Sequence, residues 1–302
     1  MSITSWKRRG DWLELTPGKK VTGSADRQAA AEQWLLSELG MPDKMLRQLK
    51  ATGGIQLAGD RLRLALFASL PLDVEPRWAD IDVLYEDDFC LVVHKPAGMK
   101  LHSDGSREDR AVTLDHAVAA YYEMNGIQTR VRHIHRLDED TTGPVLYAKN
   151  AFALAKLDEA MRRKEIDRQY VAIAGGKIPG RLKIIDAPIG KDRHHKQRRR
   201  VSDGGQEAIT RVQVVEVWEN ATLVRLKLET GRTHQIRVHM AHVGHPLVGD
   251  VLYGGRKEQI GRQALHGERL TFAHPLTGAK VEVADPWPSD FEQLAKRESQ
   301  DH

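Results

Sequence analysis

Between Val224 and Glu229 the chain alternates strictly: Val224, Leu226 and Leu228 are apolar, while Arg225, Lys227 and Glu229 are charged. A period of two fits a strand with one buried face. Similar segments recur along the sequence. Asp82-Val83-Leu84-Tyr85 and Leu91-Val92-Val93-His94 flank the acidic turn Glu86-Asp87-Asp88, which predicts a hairpin closed by Lys95-Pro96-Ala97-Gly98. Arg168 to Ala174 reads as another strand. Fewer helices interrupt this pattern. Asn150 is placed to cap a helix whose Leu154, Leu157 and Met161 share one face, and Gly231 to Val243 predicts a second with Ile236, Met240 and Val243 inward. Many strands and few helices in mixed order predict an α+β fold built on a mixed, largely antiparallel sheet.

The N-terminal quarter reads differently. Ala31, Trp34, Leu35 and Leu39 space as one helical face, and Met45, Leu46 and Leu49 start another after Pro42-Asp43. Gly53-Gly54 stops that helix before a strand from Ile55 to a turn at Gly59-Asp60. We divide the chain into a lead over residues 1–24, a small module over 25–75 and a large domain over 80–295. The linker is Leu70-Pro71-Leu72-Asp73-Val74-Glu75-Pro76, with two prolines. A module this short folds alone only marginally.

No apolar run approaches a membrane span, and the N-terminus lacks the apolar stretch of a secretion signal. The lone cysteine, Cys90, allows no internal disulfide and sits in a strand-like segment as a small buried hydrophobe. These features predict a cytoplasmic protein without membrane association. The charges are concentrated: Lys191, Arg193, Lys196, Arg198, Arg199 and Arg200 face a single acid, Asp192, within ten residues. That local excess is at least as large as the whole chain's net charge of +4. Such density suits counterion release on phosphates and, without interleaved aromatics, positions a backbone rather than reads bases.

Two motifs could carry chemistry. In His135-Arg136-Leu137-Asp138-Glu139-Asp140-Thr141-Thr142-Gly143, an acid follows a His and an Arg and precedes a turn and the apolar run Val145-Leu146-Tyr147-Ala148. A carboxylate so flanked is held ionised and rigid, although many such acids only cap a turn. In Gly231-Arg232-Thr233-His234-Gln235-Ile236-Arg237, His234 and Arg237 lie one turn apart beside an apolar helix face. Either Arg237 is half-buried and needs a carboxylate such as Asp138, or both belong to a polar surface edge. The Gly-Arg-Thr start would also aim backbone N–H groups at an anion. His133, His135, His239, His242 and His245 lack the partners and spacing of a zinc site, so no metal is expected.

Taken together, these residues resemble the RluA/RluD-like family of RNA pseudouridine synthases. The similarity runs in order through Val93-His94-Lys95-Pro96-Ala97-Gly98-Met99, His135-Arg136-Leu137-Asp138 with Thr141-Thr142-Gly143, and Arg168-Gln169-Tyr170. It continues through Gly231 to His239, Gly244 to Asp250, Leu252-Tyr253-Gly254, Leu265-His266 and Phe272-Ala273-His274-Pro275, covering about residues 80–290. Glu32 to Leu72 resembles a small RNA-binding module named after a ribosomal small-subunit protein. The resemblance implies conversion of uridine to pseudouridine in ribosomal or transfer RNA by a monomer that uses no cofactor, nucleotide or metal. It makes Asp138 the catalytic acid, Arg136 the side chain that fills the stack left by a flipped base, Tyr170 the ring under that base, and Arg237 the partner of Asp138. Lys95, His135, Arg168, Arg232 and His234 are expected to join the basic run in contacting RNA. Thr142 stands where the family more often has Ser, and Pro144 where an aliphatic residue is common. Two rival readings remain: a non-catalytic RNA-binding or ribosome assembly factor, and a glycosidase. Adjacent acids on a strand or turn point apart, whereas a hydrolase needs its two carboxyls facing across the bond, which counts against the second.

Overall fold

The computed structural model of the chain describes residues 5–103, 105, 111–195, 197–257 and 260–300. Strands β1 (Trp6–Arg9) and β2 (Trp12–Leu15) lead through helices α1 (Lys19–Thr22), α2 (Arg27–Ser37) and α3 (Asp43–Ala51) to β3 (Ile55–Ala58) and β4 (Arg61–Leu64). These strands form one sheet in the order β1-β2-β4-β3, every pair antiparallel. Residues 6–15, expected in a lead separate from the module, therefore belong to its sheet. The physical reason is the alternation of Leu13 and Leu15, which pair with Leu64 and Leu62 and need the same core.

That core is not confined to the module. Leu13, Leu35, Leu46 and Leu64 pack in one cluster with Phe89, Cys90, Leu146 and Phe152 of the larger domain. The rings of Trp6 and Phe67 both meet Phe89 edge-on, with centroids 5.4 Å apart. Residues 65–82 carry no helix or strand, as a linker should, yet they are tied down. Leu70 N donates to Gln128 O and Arg77 N to His116 O, while Asp73 accepts from Val131 N.

Next come β5 (Val83–Glu86), β6 (Cys90–Lys95), α4 (Leu114–Met124), β7 (Gly143–Ala148), α5 (Ala151–Arg162) and β8 (Asp167–Gly175). They are followed by β9 (Ile184–Asp186), β10 (Ile189–Lys191), β11 (Arg199–Val201), β12 (Ile209–Val217) and β13 (Ala221–Leu228). The chain ends with α6 (Gln235–His242), β14 (Leu265–Ala273), β15 (Lys280–Ala284) and α7 (Ser289–Gln300). The sheets are β5-β6-β7, β15-β14-β8-β13-β12-β9 and the hairpin β10–β11, again with antiparallel neighbours. The fold is α+β. A parallel bridge from Thr142 to His266 joins the edge of the first sheet to the second.

Strand β6 is apolar on both faces because it is covered twice. Leu91 and Val93 pack with Leu114 and Val118 of α4 and with Ile236 and Met240 of α6. Cys90 and Val92 pack with Phe152 and Leu157 of α5. Asn150 caps α5 as its position predicts, accepting from Ala153 N at 2.8 Å. At the C-terminus, Phe291 and Leu294 of α7 bury against Val171 and Ile173 of β8, and the helix runs past residue 295 to Gln300.

Candidate active site

The turn that carries Asp138 lies between the isolated bridge at His133 and the start of β7. Thr141 N donates to Asp138 O at 3.0 Å and closes it. Beyond the turn, Gly143 has φ 142 and lies so close to Gly267 that a Cβ would stand 2.8 Å from that backbone. Only glycine allows this approach, which lets Gly267 N reach Thr142 O at 2.8 Å. His266 Nε2 lies 3.0 Å from Asp285 O, a pure acceptor, so this nitrogen carries the hydrogen. Nδ1 is then free to accept the Thr142 hydroxyl at 2.8 Å. Burial lowers the His266 pKa, in keeping with this neutral form.

Lys95 was expected on the RNA, but the structure overturns this. It is 0 % exposed, and its Nζ donates to Pro96 O and Met99 O at 2.7 Å and to Glu139 O at 2.6 Å. A buried ammonium needs acceptors, and three carbonyls supply them. Lys95 thus pins the turn one residue beyond Asp138. His135 is likewise no surface contact: it is buried, and its Nε2 accepts from Leu146 N at 3.3 Å. Burial, reinforced by the nearby Arg168 charge, lowers its pKa to about 3 and keeps it neutral. Arg168 is also buried, against Gly231, where a Cβ would stand 3.1 Å from the guanidinium.

Asp138 Oδ2 accepts from Arg237 NH1 at 3.2 Å. The other edge of Arg237 is taken by Asp250, with Nε to Oδ2 at 2.7 Å and NH2 to Oδ1 at 2.9 Å. Burial alone would weaken the Arg237 charge, but the hydrogen bonds and charge of Asp250, with Asp138 behind them, raise its pKa. The helix begins later than Gly231. His234 sits at φ 57, in the left-handed region, and α6 starts at Gln235. The Gln235 side chain sets this start, accepting from Arg232 N at 3.0 Å and Thr230 Oγ1 at 2.7 Å. That Arg232 N–H is therefore not available to an anion.

The fold turns His234 towards the same acid, with Nε2 4.0 Å from Asp138 Oδ2. The Tyr253 hydroxyl accepts from Arg199 N at 2.9 Å and lies 2.9 Å from His234 Nδ1, so its own hydrogen is free for that nitrogen. Burial lowers the His234 pKa against the opposing charge of Asp138.

Asp138, Tyr170 and Arg237 line one cleft, with Leu228, Ile236 and Leu265 as its apolar walls. Tyr170, on β8, is 4 % exposed, and burial raises its pKa so that the phenol stays neutral. Arg136 is exposed where this cleft meets a second groove lined by Arg162, Lys164, Arg168 and Arg232. Arg232 itself is half-buried and donates Nε to Glu207 O at 2.9 Å.

Of the basic run, Lys191 ends β10, Arg199 and Arg200 begin β11, and Arg193 is exposed in the turn between them. Lys196 lies outside the described residues. Sequence spacing places no aromatic in this run, but the fold supplies one: the guanidiniums of Arg198 and Arg237 lie 5.4 and 5.1 Å from the Tyr253 ring centroid. Among the described residues, no three His, Cys, Asp or Glu side chains are grouped to hold a metal ion. Sequence reasoning gave no role to Asp250, Tyr253 or His266, although all three stand in quoted motifs. The demand of a buried arginine for a balancing acid was the signal for Asp250.

Residues 89–242 match the family described as RNA pseudouridylate synthase. Among curated relatives, the uncharacterized RNA pseudouridine synthase YhcT of Bacillus subtilis (strain 168) is 43% identical over 240 residues, 79% of each chain. Ribosomal large subunit pseudouridine synthase D of Vibrio cholerae is 37% identical over 307 residues, covering 93% of this chain and 94% of the relative. Among solved structures, human RNA pseudouridylate synthase domain containing 1 superposes with a TM-score of 0.59 at 26% identity. It covers 71% of this chain and 87% of the human one.

Proposed function

The chain belongs to the RNA pseudouridylate synthase family, in its RluA/RluD-like branch, and from this premise we propose that it converts uridines of large-subunit ribosomal RNA to pseudouridine with Asp138 as the catalytic acid. It is an enzyme that isomerises uridine within RNA. The glycosidic bond from C1′ to ring nitrogen breaks, the uracil turns, and C5 bonds to C1′. The proton lost from C5 is matched by one gained at the freed nitrogen. Atoms and electrons balance, so the reaction needs no co-reactant, and we propose a cytoplasmic monomer without cofactor. No helix among the described residues is long and apolar enough to cross a membrane.

One observation carries this reading: an ion-paired carboxylate and a neutral tyrosine ring share a cleft with an exposed arginine at its rim. In our reading, the flipped uracil stacks on Tyr170, Arg136 fills the gap it leaves, and Asp138 acts on the ribose. Arg237 holds that carboxylate in place by an ion pair, with Asp250 fixing Arg237. The basic hairpin and Arg232 contact phosphates beside the cleft. The test is to incubate purified protein with unmodified large-subunit ribosomal RNA transcript and map pseudouridine at base resolution. New sites support the proposal. A map indistinguishable from that of untreated transcript removes ribosomal RNA as the substrate.

A further inference from the structure

A chain of polar side chains runs from the core to the groove beside Arg136, and the cleft does not use it. It starts at Tyr147 of β7, whose buried hydroxyl donates to Asp115 Oδ1 at 2.9 Å. Asp115 stands in the first turn of α4, and its side chain is only 10 % exposed. A buried carboxylate calls for a partner of opposite charge, and among the described residues it ion-pairs with His133 alone. His133 Nδ1 lies 3.1 and 3.3 Å from the two carboxylate oxygens, so this nitrogen carries the hydrogen. Nε2 is then the nitrogen that gains or loses a proton. Among the described residues, the hydrogen bonds of this ring all go to Asp115.

The exposed His102 ring stacks on His133, with centroids 5.5 Å apart and planes at 14°. Partial burial lowers the His102 pKa, helped by His133 and Arg136 against the pull of Asp115. Of the two stacked rings, the one on the carboxylate is therefore the one set up to carry charge. The groups around His133 divide clearly. Asp115 invites a proton, while Tyr147 and the buried, neutral His135 carry no charge. Arg132 is spent on Asp73, and Glu229 on Arg211. Arg136, with Arg162, Lys164, Arg168 and Arg232 along the same groove, opposes a further cation. A phosphate in that groove reverses the balance, because it sets a second anion beside Nε2.

We propose that His133 is a proton-linked phosphate contact: RNA entering the groove beside Arg136 brings a backbone phosphate to Nε2, and the imidazole takes up a proton between that phosphate and Asp115. The proposal rests on the reading that RNA is the substrate. The proton comes from solvent, and the N–H at Nε2 is the one bond formed. Asp115 acts through His133 and is a positioning residue. Protonation adds one charge and one donor at the phosphate, so affinity rises as pH falls. By linkage, bound RNA tightens the proton by the same factor. The contact carries no base information and serves to register the backbone next to Arg136.

The test is calorimetric titration of a large-subunit ribosomal RNA transcript at pH 7.5 in HEPES and in Tris. The difference in binding enthalpy between the two buffers counts the protons taken up. A free imidazole is mostly neutral at this pH, so His133→Gln should take up less than wild type by about half a proton or more. Asp115→Asn should show a similar deficit, since the second anion is gone. His133→Lys keeps a charge at all these pH values and should bind well without the uptake. His102→Gln should retain it. Thermal unfolding followed by circular dichroism checks the fold, and the His133→Gln result decides if Asp115→Asn unfolds. Equal uptake by wild type and folded His133→Gln overturns the proposal. So does an uptake that disappears in His102→Gln but persists in His133→Gln. If wild type forms no pseudouridine on this transcript, the synthase reading fails, whereas the proton count still decides the His133 contact.

Discussion

Asp250 holds Arg237 by both edges of a fork, with hydrogen bonds of 2.7 and 2.9 Å, and leaves a third nitrogen 3.2 Å from Asp138. Asp250 is 2 % exposed, so the pair is a fixed strut rather than a surface contact. The acid proposed to do the chemistry is held by an arginine that is itself held.

Replacing Asp250 by Ala strands a buried guanidinium with only Asp138 for charge balance. The loss should destabilise the protein by about 3 kcal/mol, read as a lower urea midpoint at constant m. Arg237→Lys should not preserve activity, because one ammonium cannot serve both carboxylates in this geometry. A stable Asp250→Ala variant with full activity would remove the strut from the account.

His135 should make stability sensitive to acid. Its folded pKa is depressed from 6.5 to about 3, so the unfolded chain binds the proton first as pH falls. Stability is therefore intact above about pH 6.5 and is lost progressively down to about pH 3. His135→Gln should show a shallower decline over that window in chemical denaturation. Parallel curves for the two proteins would contradict the neutral, buried assignment.

Tyr170→Phe keeps the ring and should keep activity within about tenfold, whereas Tyr170→Ala removes a stack worth roughly 1–3 kcal/mol per base. The initial rate of pseudouridine formation separates them. Equal losses in both variants would mean that the hydroxyl, not the ring, is what matters.

Much of this organisation was legible in local sequence. The alternation in β13, the acidic turn between β5 and β6 and the Asn150 cap all depend on neighbours within a few residues, so periodicity and turn chemistry report them. What stayed hidden depends on distant partners. Lys95 looks like a surface cation until the fold wraps Pro96, Met99 and Glu139 carbonyls around it. Leu13 and Leu15 mark a strand only because Leu64 and Leu62 lie opposite, about fifty residues later. His234 fits a helical period, yet the Gln235 side chain, accepting from Thr230 Oγ1 and Arg232 N and donating to Ile209 O and Thr210 Oγ1, starts the helix after it. The motifs pointed to Asp138 and its partner Arg237, but not to Asp250, which holds Arg237, nor to the carbonyl cradle of Lys95.

Arg136→Ala should slow the reaction most where the target uridine is stacked. Filling the vacated gap offsets an unstacking cost of a few kcal/mol, which is smaller for an already unpaired base. Comparing kcat/KM on a structured transcript and on the same sequence disrupted around the target site measures the difference. Equal losses on both would contradict the gap-filling role.

The most direct measurement is pseudouridine formation by Asp138→Asn, an isosteric change that removes the charge facing Arg237. Purified variant and wild type are incubated with the same transcript labelled with tritium at uracil C5, whose release reports formation of the new carbon bond. The account predicts release by the wild type, none above background by the variant, and RNA affinity within about threefold of wild type, since one neutralised charge shifts phosphate binding little. Tritium release by Asp138→Asn at a rate near that of the wild type would show that the carboxylate at the centre of this site is not the catalytic group.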